Sequence, residues 1–267
     1  MTAPQRILLA GDLHGSIRAA EQVIDYAAAS RAGLILQLGD FGFWPRYPSG
    51  LKFLRRVEGR CAKHDLTLWF VDGNHEDFDR LLPLPVDPAT GLRPVSEHVF
   101  HVPRGHRWKW AGTRWLAVGG GVSLDSQRRT LGRDWFAEEE VTDAQVETIT
   151  AGGPADVVVA HDVPWGSQLL DQKFGMSLPG WRRASRVGFP ADRLEASDVH
   201  QKRLRRIAEG VEAQRWYAGH LHTPYTDTIE LYGGGELALN GLGTDGDRLD
   251  LLALVVGTDG YPIIDPD

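Results

Sequence analysis

The sequence contains little cysteine and no long apolar run. Cys61 is the only cysteine among the 267 residues, which excludes an internal disulfide and fits a reducing compartment. No stretch approaches the roughly 20 consecutive apolar residues that a membrane-spanning helix needs. Residues 1–6 offer no apolar signal-peptide segment before the first predicted strand. We therefore expect a cytoplasmic protein without a membrane partner, in which Cys61 is a small buried side chain on a helix.

An excess of positive charge is also missing. The formal net charge is −7, from 29 Lys and Arg against 36 Asp and Glu, which argues against a molecule built as a whole to bind nucleic acid or a membrane surface. One basic cluster stands out against this average, and it predicts either a solvated helix face or a rim that binds nucleic acid or a nucleotide. Its members are Arg182, Arg183, Arg186, Arg193, Lys202, Arg203, Arg205 and Arg206.

Three βα units open the chain. Short apolar runs at residues 6–10, 34–38 and 66–71 are typical of strands that are buried on both faces. The helical periodicity between them, from residue 17 and over about residues 50–64, predicts helices that cover the sheet. This part should form a parallel sheet with right-handed crossovers.

The rest of the chain alternates short strands with glycine turns. Runs at residues 99–102, 106–110 and 114–118 are typical of a meander, and residues 156–160 form another buried strand. Further strands are predicted at 226–232, 236–239, 249–256 and 261–264. We interpret this half as a second sheet packed on the first.

We expect one domain over residues 1–267, because the sequence shows neither an internal repeat nor a low-complexity tail. Residues 164–198 are interpreted as an irregular insertion or lid, and a helix follows over about residues 194–211, with His200 on its apolar face.

Five polar signatures lie where predicted strands end. Ligands and substrates of open α/β sheets bind at that carboxyl edge. Aspartate, histidine and asparagine are suitable ligands for divalent metals that activate water. A carboxylate such as Asp40 can also span two metals ~3.5–4 Å apart. The signatures are Gly11-Asp12-Leu13-His14, Gly39-Asp40, Gly73-Asn74-His75-Glu76, Ala160-His161-Asp162 and Gly219-His220-Leu221-His222.

These signatures resemble those of the calcineurin-like metallophosphoesterase family, in particular a small phosphodiesterase branch of bacterial or phage type. The family pattern is Asp-x-His, Gly-Asp, Gly-Asn-His-Glu/Asp, a histidine and Gly-His-x-His, and this chain carries all five parts in order across residues 11–222. The resemblance implies a four-layer α/β/β/α sandwich of two mixed sheets flanked by helices. It also implies a dinuclear metal site at the C-terminal edge of the strands.

The same resemblance implies two sets of metal ligands that share Asp40. Mn²⁺ is the expected metal, with Fe, Zn²⁺ or Ni²⁺ as alternatives, because affinity alone does not select among them. The first set is Asp12, His14, Asp40 and His222, and the second is Asp40, Asn74, His161 and His220.

The resemblance also implies a mechanism in which a metal-activated hydroxide attacks phosphorus while His75 binds phosphate and acts as general acid. Glu76 or Asp77 would favour the protonated imidazole of His75. Asp40 is catalytic in the sense that it would anchor both metals.

An arginine found in some branches of the family is missing here. Those branches continue as Gly-Asp-x-x-Asp-Arg, whereas residues 39–44 are Gly39-Asp40-Phe41-Gly42-Phe43-Trp44, which disfavours the protein phosphatase branch. Arg128, Arg129 and Arg133 follow the triple glycine at residues 119–121, and we expect one of them to contact substrate phosphate. The alternative is that they are surface arginines in a polar loop.

The predicted function is two-metal-dependent hydrolysis of phosphoester bonds, most of all in a small phosphodiester such as a cyclic nucleotide. A metal-dependent nuclease or a broad phosphomonoesterase is the enzymatic alternative, and a non-catalytic protein-binding scaffold is the alternative from another class. Nucleic acid is a less favoured partner, and the oligomeric state is not predicted. Loop aromatics that could stack on a nucleobase are Phe43, Trp44, Trp165 and Trp181.

Overall fold

The computed structural model describes residues 4–263. Its strands and helices are, in chain order, β1 (Arg6–Ala10), α1 (Ile17–Ala29), β2 (Leu34–Gln37), α2 (Pro48–His64), β3 (Thr67–Phe70), α3 (Phe78–Leu81), β4 (Arg93–Pro94), β5 (Val99–His101), β6 (Arg107–Trp110), β7 (Thr113–Val118), α4 (Asp143–Ala151), β8 (Val157–Ala160), α5 (Gln168–Phe174), α6 (Gly180–Val187), α7 (Ala191–Gly210), β9 (Arg215–Ala218), β10 (Tyr225–Glu230), β11 (Glu236–Gly241), α8 (Leu249–Leu252) and β12 (Ala253–Gly257). Short 3₁₀ turns lie at Ser126–Arg128 and Ala137–Glu139.

The strands form two six-stranded mixed sheets with matching layouts. The first sheet has the order β12-β1-β2-β3-β5-β4, and the second has the order β10-β11-β9-β8-β7-β6. In each sheet four central strands are parallel and one antiparallel strand lies at each edge. The carboxyl ends of the parallel strands therefore form one edge in each sheet.

Alternating side chains place each sheet between a helical layer and the other sheet. In β1, Leu8 and Ala10 pack with the core under α1 and α2, whereas Ile7 and Leu9 pack between the sheets. A third core joins the outer face of the second sheet to α4 and α7. The predicted α/β/β/α sandwich is confirmed. Cys61 is fully buried on α2, as expected.

The predicted meander at residues 99–118 is wrong in one respect. β5 pairs with β3 in the first sheet, whereas β6 and β7 belong to the second, so the chain crosses between the sheets after β5. Short strands with local turns look alike in sequence whichever sheet they join.

The C-terminal strands also divide between the sheets. β10 and β11 confirm the strands predicted at 226–232 and 236–239. Residues 249–252 instead form α8, after which β12 pairs antiparallel with β1 of the first sheet. Within the predicted strand at 261–264, Pro262 forms an isolated bridge with Val256, and Ile264 lies outside the described residues.

Residues 164–198 are helical rather than irregular. They hold α5, α6 and the first turns of α7. Ser167 caps α5 by accepting a hydrogen bond from the Leu170 backbone N–H, and Gly175 ends the helix in the left-handed conformation. With seven and eight residues, α5 and α6 are too short for a helical period to stand out in the sequence.

The longest helix of the described part is α7, with 20 residues. It buries His200, Leu204 and Ile207 against the second sheet, as the apolar face predicted. Between residues 4 and 263 we find no helix with both the length and the apolar character required to cross a bilayer.

Candidate metal centre

The predicted metal ligands follow the parallel strands of both sheets. Asp12, Asp40 and Asn74 come after β1, β2 and β3 of the first sheet, while His161 and His220 come after β8 and β9 of the second. The carboxyl edges of the two sheets meet at this point, because side chains from both sheets contact one another directly.

The first predicted ligand set converges on one point. One ligand atom each from Asp12, His14, Asp40 and His222 lies within 4.8 Å of all the others. Nε2 of His222 lies 2.9 Å from Oδ2 of Asp12, and Nε2 of His14 lies 3.3 Å from Oδ2 of Asp40. Both carboxylates are buried and both histidines reach solvent, so the four side chains fit a divalent cation with room for water or substrate.

The second set meets the other oxygen of Asp40. Nε2 of His161 lies 3.4 Å from Oδ1 of Asp40 and 3.0 Å from Oδ1 of Asn74. The ring of His220 contacts the ring of His161 edge to face, with 4.8 Å between centroids. Asp40 therefore presents one carboxylate oxygen to each set, which is the arrangement that a bridging ligand requires.

Two hydrogen bonds orient ligands of the second set. Nδ1 of His161 donates to the backbone carbonyl of Leu38 at 2.9 Å, so Nε2 is left to face Asp40 and Asn74. Nδ2 of Asn74 donates to Oγ of Ser123 at 3.1 Å, and this hydroxyl donates to Glu139 at 2.7 Å. The Asn74 amide oxygen consequently points toward the metal centre.

Ser123 and Glu139 support a predicted metal ligand through hydrogen bonds, and the sequence does not reveal them. Ser123 lies 49 residues from Asn74 and belongs to no motif. Glu139 is completely buried and also accepts the backbone N–H of Ser123 at 2.7 Å. Glu139 therefore fixes the loop that contains Ser123, and the Ser123 hydroxyl in turn holds the Asn74 amide.

The two aspartates create a field that favours positive charge. Burial alone would lower the pKa of His14, but the hydrogen bond and charge of Asp40, together with Asp12, raise it to about 9. Burial would also lower the pKa of His161, yet Asp40 and Asp12 raise it to about 10. Against its own burial, the neighbouring imidazoles hold the pKa of Asp40 well below its usual value. Carboxylates that stabilise a protonated imidazole in this way also stabilise a bound metal cation.

The backbone at the ligands has an uncommon conformation. Among the residues that the structure describes, eight non-glycine residues have a positive φ, and four of them are predicted metal ligands. Such conformations are costly for side chains larger than glycine and concentrate at functional sites. The four ligands are His14 (φ 45°), Asp40 (φ 52°), His220 (φ 62°) and His222 (φ 48°).

At two of the motif glycines there is no room for a side chain. A Cβ atom on Gly73 would lie 2.1 Å from Oδ1 of Asp40, and one on Gly219 would lie 2.0 Å from Oδ1 of Asp12. Gly73 therefore lets a carboxylate from the neighbouring strand lie directly against its backbone, and Gly219 does the same for a carboxylate from the other sheet. This explains why glycine precedes Asn74 and His220.

His75 lies beside Asp40 but not beside the carboxylates expected for it. Its backbone N–H donates to Oδ1 of Asp40 at 2.8 Å, and its Nε2 lies 3.8 Å from Oδ2. Glu76 instead accepts the backbone N–H groups of Phe41 and Phe43, each at 2.7 Å. Asp77 forms an ion pair with Arg46.

The predicted role of Glu76 and Asp77 toward His75 is therefore replaced by two structural roles. Glu76 fixes the loop after Asp40, and burial next to Asp40 raises its pKa to about 8. His75 faces Arg129, whose Nη1 lies 2.7 Å from Nδ1 of the ring. Burial and this guanidinium lower the pKa of His75, while the charge of Asp40 opposes them.

The three predicted arginines occupy different positions. Arg128 lines the cavity over the metal centre, and no hydrogen bond or ion pair within residues 4–263 engages its guanidinium. Arg129 is held by Asp125 at 2.9 Å and contacts His75. Arg133 is hydrogen-bonded to Tyr47. The structure brings Arg128 and Arg129 to the site, whereas Arg133, farther along the same loop, lies beside Tyr47.

Three of the four aromatic residues proposed for base stacking make their described contacts away from the metal ligands. Phe43 is buried against Phe70, Trp44 contacts Tyr47 and Phe136, and Lys202 lies over Trp165. The side chain of Trp181 lies outside the described part of the structure. Instead, Phe174 and Phe189 line the cavity over the metal centre, and the sequence offered no signal that would select them.

Two sheets between helical layers, with aspartate, histidine and asparagine gathered at their shared carboxyl edge, define a class of metal-dependent hydrolases. The sequence profile of the family described as calcineurin-like phosphoesterase matches residues 5–224. The chain belongs to this family, as its five motifs predicted, and it is a metal-dependent phosphoesterase. A site for two metals is typical of the family.

Solved structures show the same fold at low sequence identity. TT1561 of Thermus thermophilus is 12% identical, with a TM-score of 0.52, and the match covers 96% of this chain and 99% of that one. A dimetal phosphatase from Danio rerio, LOC 393393, is 11% identical, with a TM-score of 0.56 and coverage of 95% and 93%. We found no match to this sequence among curated proteins.

Proposed function

We propose that this phosphoesterase hydrolyses small phosphodiesters, with a cyclic nucleotide as the favoured substrate, and that it uses two divalent cations, of which Mn²⁺ is the expected one. The observation that carries the proposal is the position of Asp40, whose two oxygens face two different sets of ligands. The single buried cysteine, Cys61, supports a cytoplasmic location as part of this proposal.

Some residues of the site would bind the substrate and the metals, and one would transfer a proton. Bound divalent cations would supply a water of lowered pKa and neutralise charge on the phosphoryl oxygens. His75, beside Asp40 at the cavity floor, would give a proton to the leaving oxygen. Arg128 would contact the phosphoryl group, since its guanidinium lines the cavity and makes no hydrogen bond or ion pair with any residue from 4 to 263.

Two observations favour a small substrate over a nucleic acid. Much of the basic cluster is paired with carboxylates: Arg203 and Arg206 with Asp143, and Arg205 with Glu209. Arginines that are already paired with carboxylates bind the phosphate backbone of a nucleic acid weakly. The cavity over the metal centre has a volume of about 450 Å³, which suits one small molecule. A non-catalytic scaffold would have no need of the complete ligand set.

The first test is hydrolysis by the purified, Mn²⁺-loaded protein. We expect turnover of bis-p-nitrophenyl phosphate to exceed that of p-nitrophenyl phosphate, and a panel of 2′,3′- and 3′,5′-cyclic nucleotides to contain a substrate. Asp40→Asn should abolish turnover of all of them. A wild-type protein that is inert on both nitrophenyl esters would refute hydrolysis. Faster cleavage of single-stranded DNA or RNA than of every small diester would identify a nuclease instead.

A further inference from the structure

We infer that the cavity over the metal centre has a dedicated apolar half, which binds an uncharged aromatic group of the substrate, such as an aryl ring or a nucleobase. This inference rests on the proposed function, because it concerns the organic part of the same phosphoester. At one end the cavity is lined by Asp40, Asn74, His75 and the two histidines that follow β9. The other lining residues include six apolar ones, here called the apolar wall: Phe174, Met176, Val187, Phe189, Leu194 and Leu221.

Five of these six wall residues lie on or directly beside α5, α6 and α7. Phe174 and Met176 lie at the end of α5, Val187 and Phe189 lie at the junction of α6 and α7, and Leu194 lies in the first turns of α7. A phosphoester held at the metal ligands would therefore extend its organic group toward this wall, since both line one continuous cavity.

The polar side chains in this part of the cavity are only partly engaged, because within the described residues Nε of Arg183 and Oε1 of Gln201 have no hydrogen-bond partner. Arg183, only 4% exposed, donates to the backbone carbonyl of Leu194 at 2.9 Å and forms an ion pair with Asp198. Nε2 of Gln201 donates to Oδ1 of Asp162 at 3.3 Å. The Arg183 contacts brace α6 against α7 and neutralise the Arg183 charge, and the Gln201 contact ties α7 to the segment after β8. This half of the cavity therefore combines apolar contact with two unpaired polar atoms, Nε of Arg183 and Oε1 of Gln201.

Two residues of the wall keep apolar surface in solvent. Val187 is 44% exposed and Phe189 is 37% exposed. Apolar surface next to a group of convergent polar ligands is the usual composition of a small-molecule site. A ring that covers this surface would be removed from water together with it, which favours binding. A substrate with only a small alkyl group would leave the wall in water.

The inference can be tested with phosphonates, which carry one organic group and are not hydrolysed as esters. Calorimetry on the Mn²⁺-loaded protein should give a Kd for phenylphosphonate about tenfold below that for methylphosphonate, an advantage expected from burying one ring. Phe189→Ala and Val187→Ser should each reduce this ratio severalfold and leave the Kd for methylphosphonate unchanged. Val199→Ala, which also removes an exposed apolar side chain from this region, is the matched control and should keep the ratio.

Equal affinities for the two phosphonates in the wild type would overturn the inference, and so would an undiminished ratio in both wall variants. If the protein still hydrolyses bis-p-nitrophenyl phosphate in that case, the proposed function stands and only the apolar subsite is rejected. If methylphosphonate does not bind and no ester is hydrolysed, the proposed function falls as well.

Discussion

At the scale of single residues, the motifs predicted the site because each ligand has its structural requirement next to it in the chain. Gly73 makes room for a carboxylate of the neighbouring strand and Gly219 for one of the other sheet, and both glycines precede a ligand directly. The supporting contacts could not be predicted in this way. Ser123 is 49 residues from Asn74, and Arg129 is 54 residues from His75, and no local pattern marks such pairs.

The role of His75 can be separated from that of the metal ligands. His75→Ala should keep both metals, because this residue donates its hydrogen bond to Asp40 from the backbone N–H, which the variant retains. Turnover should fall by about 10²–10⁴-fold for diesters with poor leaving groups and much less for nitrophenyl esters, which need no proton on the departing oxygen. Steady-state kinetics across a series of leaving groups, with metal analysis of the variant, provides the measurement. Equal losses across the series would argue against a general acid.

At the scale of secondary structure elements, the sequence predicted the type of each element better than the sheet to which it belongs. β1, β2 and β3 with α1 and α2 follow from apolar runs and helical periodicity. That β5 joins the first sheet and β6 the second is not encoded in such local patterns. The pairing of β12 with β1 joins opposite ends of the chain, which likewise requires knowledge of the whole fold.

Support between elements is expected to control the second metal. Ser123, after β7, and Glu139, in the Ala137–Glu139 turn, hold the Asn74 amide that follows β3. Ser123→Ala removes this hydroxyl but keeps the backbone N–H that Glu139 accepts. Loss of a residue that orients a metal ligand typically lowers metal affinity by about 10–100-fold. The larger of the two Mn²⁺ dissociation constants should therefore rise by that factor.

Calorimetric titration of Mn²⁺ into metal-free protein would measure this change. Ser185→Ala is the matched control, because its exposed hydroxyl donates to a backbone carbonyl within α6. We expect wild-type affinity for both metals in that control. Unchanged affinity in Ser123→Ala would mean that Asn74 needs no support from this hydroxyl or is not a ligand.

At the scale of the whole molecule, two sheets with matching strand order bring their carboxyl edges to one place. Each sheet contributes ligands: Asp12, Asp40 and Asn74 from the first, and the histidines after β8 and β9 from the second. Family resemblance predicted this four-layer arrangement, whereas composition and charge alone indicated only a folded protein with an acidic balance. The sequence predicted an irregular insertion or lid over residues 164–198. The helices α5 and α6 of this segment contribute apolar residues to the cavity.

The central claim is that Asp40 joins two metal ions. Crystals of the Mn²⁺-loaded protein, measured for anomalous scattering at the manganese edge, test it most directly. We predict two peaks ~3.5–4 Å apart, one beside His14 and one beside His161, with a carboxylate oxygen of Asp40 coordinating each. A single peak, or two peaks of which only one contacts Asp40, would contradict this account.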